Sequence, residues 1–116
     1  KTLSTIIILF LAVISISAQD ITGTWTGALE VPPGQLRINF NISASDDGFT
    51  STLDSPDQGA LGIPVDSTFY KKPELTIKVT SLDLVYVGTL DDDATLNGTL
   101  TQMGQSLELN LKRKTE

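Results

Sequence analysis

The sequence predicts an all-β protein: about eight antiparallel strands in a meander that closes into an up-and-down barrel, with a two-sheet sandwich as the alternative. Three observations predict it. Apolar and polar residues alternate with a period of two from Ile21 onward, and no stretch beyond that point shows a convincing helical period. Short clusters of Gly, Pro, Asp and Asn separate the alternating runs, as hairpin turns require. Eight such runs with one apolar face each form a sheet whose edges are best removed by closure.

The predicted strands are 21–30, 35–44, 48–53, 67–72, 74–80, 84–90, 95–102 and 105–112. The first puts Ile21, Gly23, Trp25, Gly27 and Leu29 on one face, and the second Leu36, Ile38, Phe40 and Ile42. Later runs align Leu75, Ile77 and Val79; Leu84, Tyr86, Gly88 and Leu90; Leu96, Gly98 and Leu100; and Leu107, Leu109 and Leu111. The turns between them read VPPGQ, SDDGF, KKPE, LDDDAT and QMGQS. About twenty inward apolar side chains, Trp25, Phe40, Phe49 and Tyr86 among them, predict a packed core with a shallow mouth rather than a large cavity. Gly23, Gly27, Gly88 and Gly98 fall on inward positions. They either relieve bending and make room for Trp25, or open a pocket.

Residues 1–18 have the order of a secretory signal peptide: Lys1, an apolar run from Ile6 to Ile14, and small polar residues ending at Ala18. The run is shorter than the roughly 20 residues that span a bilayer, so no stable membrane insertion is expected after cleavage before Gln19. Residues 19–116 then form a single domain, able to bury roughly two-thirds of its unfolded surface. The chain has no cysteine, so no disulfide compensates for its size. Export without disulfides points to a bacterial envelope protein, secreted or periplasmic. Beyond the leader there are seven basic and fourteen acidic residues, a net charge of −7. Nucleic acid is excluded as a partner, because that needs a basic footprint.

Without histidine or cysteine, the chain alone builds no Ser-His-Asp triad, no Cys-His pair and no common zinc site. The nearest approach to a nucleophile elbow, Gly104–Glu108 (GQSLE), lacks the final glycine and enters a strand. The acidic runs Asp46–Asp47 and Asp91–Asp93 lie in turns, where Asp bonds its local backbone. An EF-hand reading of the second fails because its sixth and twelfth positions are Leu96 and Gln102. No catalytic residue, metal ligand or cofactor is therefore expected.

One segment does not fit a simple hairpin. Asp54–Val65 (DSPDQGALGIPV) is too long for a tight turn and too apolar for disorder. It is read as a loop that plugs one barrel mouth, docks a neighbour, or does both. Asp54, Ser55, Asp57, Gln58, Leu61 and Ile63 are the candidate docking residues.

Two resemblances follow from particular residues. The G-x-W of Gly23–Trp25 in the first strand and Arg113 ending the last resemble lipocalin and calycin barrels. That resemblance implies a Trp25–Arg113 pair closing one barrel end, and a small apolar ligand in the barrel. More of the chain, residues 20–113, resembles the N-terminal all-β accessory domain of secreted bacterial α/β-hydrolases of the serine esterase or peptidase type. The stretches DITGTWTGAL, DSPDQGALGIPV, YVGTL and LNGTLTQMGQSLELNLKR carry it. It implies a non-catalytic module that docks to or positions a hydrolase domain, in cis or in trans.

Overall fold

The computed structural model describes residues 21–114. The predicted leader 1–18 lies outside the described residues. Among the described residues nine strands follow one another: β1 (Gly23–Val31), β2 (Gly34–Ser45), β3 (Gly48–Ser55), β4 (Ala60–Pro64), β5 (Ser67–Lys71), β6 (Glu74–Val79), β7 (Leu84–Leu90), β8 (Thr95–Gln102) and β9 (Gln105–Arg113). All pairings are antiparallel, and β9 returns to β1. Eight strands form a closed barrel in the order β1-β2-β3-β5-β6-β7-β8-β9, with β4 as an extra strand beside β3. The closure decides for the barrel over the sandwich.

Period-two alternation sets the register. Trp25 stands opposite Phe40, and Phe40 opposite Leu53. Ile77 faces Tyr86, and Tyr86 faces Leu100. A slip of one residue in any strand would turn its apolar set to water, so burial itself specifies the pairing. The resulting core has Trp25, Tyr86 and Phe40 as its largest members, all fully buried. Phe40 and Tyr86 pack with ring centroids 5.5 Å apart.

Tyr86 explains two of the inward glycines, and corrects the expectation that they serve Trp25. Its ring lies over Gly88 and Gly98. A Cβ on Gly88 would sit 2.6 Å from the Tyr86 hydroxyl and 2.8 Å from its ring, and one on Gly98 would meet the same hydroxyl at 2.6 Å. The hydroxyl donates to the Leu109 carbonyl at 3.0 Å, and burial pushes its pKa well above the usual tyrosine value. Leu107 departs from the alternation: it is exposed, while Leu109 and Leu111 are buried.

Strand β9 closes on β1 through Trp25–Arg113 and Thr26–Lys112, the Lys114 amide on the Thr24 carbonyl at 2.8 Å, and Gly27 packed against Asn110, Leu109 and Leu111. The wall has one thin seam. Strand β5 meets β3 through the single pair Phe49–Thr68. The Ser51 and Thr68 hydroxyls, 2.5 Å apart, and the Val65 amide on the Ser51 carbonyl at 3.3 Å reinforce that seam. The other half of β3 is paired with β4 instead.

Antiparallel order sorts the turns into two ends. The β2–β3, β5–β6 and β7–β8 turns share one end with Ile21 and Arg113. The β1–β2 and β8–β9 turns, with the 3₁₀ turns Pro56–Gln58 and Thr80–Leu82, share the other.

Candidate functional site: an open barrel mouth with a bulged flap

Segment 54–65 is not one irregular loop, as its composition suggested. It ends β3, makes a 3₁₀ turn, and returns as β4. Pro56 starts the turn, and Gly59 closes it in the left-handed region at φ 70°, with its amide on the Pro56 carbonyl. Strand β4 then pairs Ala60 with Ser55, Ile63 with Leu53 and Pro64 with Thr52. Two residues, Leu61 and Gly62, therefore stand opposite Asp54 alone. This is a β-bulge, and Gly62 at φ 68° supplies the left-handed residue within it. Asp54 accepts the Gly62 amide at 2.8 Å and so satisfies the backbone group that the bulge displaces. Its other oxygen accepts from Asn41 at 3.0 Å. Partial burial pushes the Asp54 pKa up, but the hydrogen bonds from Asn41, Gly62 and Asn39 outweigh it and hold the carboxyl below its ordinary value.

Asp57 fastens the turn to β2. It accepts the Arg37 amide at 2.8 Å and pairs with the Arg37 guanidinium at 2.9 Å. Those bonds lower the Asp57 pKa and raise that of Arg37. Ser55 is buried and donates to the Gln58 side-chain oxygen at 2.6 Å. The six residues proposed for docking thus divide. Asp54 and Asp57 hold the flap in place, and Ser55 and Ile63 face the interior. Gln58 sits at the rim, and Leu61 is 71 % exposed.

Beneath the flap lies a cavity of about 320 Å³. Leu29, Leu36, Ile38, Leu53, Leu84 and Leu100 form its depth, with Ala60, Ile63 and Leu82 nearer the flap and the second 3₁₀ turn. Ser55, Gln58 and Gln102 are its polar residues, and no charged residue lines it. Gln102 is held by donating to the Leu82 carbonyl at 3.2 Å. The exposed Met103 lies in the adjoining β8–β9 turn, whose amide reaches the Asp83 carbonyl at 3.0 Å. Sequence reading missed Leu29, Leu36, Leu82 and Gln102 as a group. Their shared end follows only from the alternating directions of the strands that carry them.

The opposite end is shut. The Arg113 guanidinium lies 4.5 Å from the Trp25 ring centroid and donates to the Thr22 carbonyl. The Trp25 indole donates to the Ile21 carbonyl at 2.9 Å. Gly23 makes space for the cation: a Cβ there would lie 3.2 Å from the guanidinium. The acidic turn at this end is internally satisfied. Asp91 accepts from the amides of Asp93 and Thr95 and from the Asn97 side chain, at 2.8–3.0 Å. Among the described residues no group of three or more potential ligands is placed to hold a metal.

Comparison with protein-family models and with curated proteins finds no match.

Proposed function

We propose that this chain is a non-catalytic secreted accessory module that presents its open end to an α/β-hydrolase domain of the esterase or peptidase type, encoded in cis or in trans. The observation that carries the reading is the flap. A specific local geometry, a bulge plus two left-handed glycines, is fastened by Asp54 and Asp57 and leaves Leu61 projecting beside the mouth. An exposed apolar side chain on a well-fixed rim suits a partner contact, since its burial by a partner removes apolar surface from water. The hydrolase-associated resemblance in the sequence names the partner class. With no histidine or cysteine available, the serines lack a partner base of the usual kind.

The test is association. A hydrolase domain with a G-x-S-x-G elbow, sought past codon 116 or in neighbouring genes, is titrated with residues 19–116 and with their Leu61→Ser variant. The reading expects binding that weakens several-fold in the variant while its melting temperature stays within a few degrees. Absence of association, or loss of affinity that merely follows unfolding, overturns it. Residues 19–116 alone should hydrolyse p-nitrophenyl esters no faster than buffer.

A second reading, a calycin-like binder of a small apolar ligand, is favoured by the cavity. Its volume falls at the small end of the roughly 300–1,000 Å³ typical of ligand pockets.

A further inference from the structure

The structure assigns a ligand class to the open-end cavity: a neutral medium-chain acyl compound, amide or ester, with its chain inside the barrel and its carbonyl at the mouth. The inference rests on the second reading above and is independent of hydrolase docking.

Three features of the lining select this class. The depth is wholly aliphatic, formed by Leu29, Leu36, Ile38, Leu53, Leu84 and Leu100. With no aromatic face to stack on, a planar ring gains nothing specific there, whereas a flexible hydrocarbon chain fits between branched side chains. Size sets the chain length. If each methylene occupies about the ~30 Å³ share of a water molecule, a cavity of about 320 Å³ holds roughly ten such groups. A chain of about six to ten carbons follows.

The polar atoms set the head group. Ser55, Gln58 and Gln102 are the polar lining residues. Ser55 takes one lone pair of the Gln58 oxygen, which leaves both N–H groups of that side chain as donors. The Leu82 carbonyl takes one N–H of Gln102, which leaves its second N–H and its oxygen. Carboxamide donors and acceptors on both sides of the mouth match an acyl amide on both sides and an ester on its carbonyl side. Among the described residues no cation lines the cavity, and nearby Arg37 is already paired with Asp57. A carboxylate drawn into the mouth would lack a counter-ion, which is costly away from water. The site therefore favours an uncleaved acyl compound over the free acid that its hydrolysis releases.

The experiment is calorimetric titration of purified residues 19–116 at pH 7 with hexanamide, octanamide and decanamide, and with methyl octanoate and octanoate. Saturable one-to-one binding is expected, tightening about fourfold per methylene up to the length that fills the cavity. Octanoate should bind about tenfold more weakly than octanamide. Ala60→Phe, which places a ring at the edge of the cavity, should abolish binding while Trp25 emission and the melting temperature report an intact barrel. The chain-length and head-group series use the unaltered protein, so they decide even if that variant misfolds. No saturable binding, or affinity indifferent to chain length, overturns the site. Octanoate binding as tightly as octanamide overturns the head-group assignment. None of these results bears on association with a hydrolase domain.

Discussion

The two ends of the barrel are built from the same strands and the same alternation, yet one is sealed and the other is open. At the sealed end a single large side chain, Trp25, fills the cross-section, and Arg113 covers it from the last strand. At the open end the corresponding layer contains Leu29, Leu36, Leu53, Leu84 and Leu100, all smaller than an indole, and they line the cavity. The wall differs as well. On the sealed side β3 reaches β5 at Phe49–Thr68, while on the open side β3 is occupied by β4. The turns of the sealed end carry Asp46, Asp47, Lys72 and Asp91–Asp93, whereas the open rim sets the exposed Leu61 and Met103 beside Asp57 and Asp83. Closing the first end thus takes one aromatic and one cation, and the end that lacks them stays open.

The largest expected effect breaks the sealed end. Trp25→Ala removes a fully buried indole and should cost about 3–5 kcal/mol in urea unfolding. Trp25 emission in the native protein should be blue-shifted. A red-shifted emission would contradict the seal. Next comes the aromatic layer between the ends. Gly88→Ala drives a methyl into the Tyr86 ring and should cost about 1–3 kcal/mol, as overpacking does. Most of that penalty should vanish in a Tyr86→Leu background, and an unchanged penalty there would remove Tyr86 as the reason for the glycine. Arg113→Ala should cost less than Trp25→Ala, about 0.5–2 kcal/mol, through loss of the cation–π contact.

The smallest effect concerns the flap and sharpens the comparison without unfolding the barrel. The carboxyls of Asp54 and Asp57 are held below their ordinary values in the folded state. Their contribution is therefore present above the unfolded value of about 3.9 and is lost as pH falls through the lower folded values. The Gly62 and Arg37 amides, which donate to these carboxylates, should show NMR shifts that titrate with midpoints below the unfolded value. Midpoints at or above it would mean that the flap is not fastened by these bonds. Trp25 and its neighbours should not report the transition.

Much of this architecture was legible because alternation and burial coincide. Trp25, Phe40, Ile77 and Leu109 alternate cleanly, and each is buried. Strand β4 was not legible for a physical reason. The bulge places Ala60 and Ile63 toward the cavity although they are three residues apart, so the period of two disappears where the strand exists. Gly62 and Pro64 argued against a strand by composition, yet both suit an extra strand at the end of the sheet order. Leu107 was misread because alternation marks a face and not the point along the barrel where that face stops being covered. The cavity needed the ends of six strands and two 3₁₀ turns to be placed together, and no local pattern records that assembly.

The difference between the ends is tested most directly by a two-dimensional ¹⁵N NMR titration of residues 19–116 with octanamide. Perturbations should gather at Leu29, Leu53, Ser55, Gln58, Ile63, Leu84 and Gln102, while the Trp25 indole and the Arg113 amide stay in place. Shifts centred on Trp25 and Arg113, or spread evenly over the outer faces of the strands, would contradict a barrel that is sealed at one end and receptive at the other.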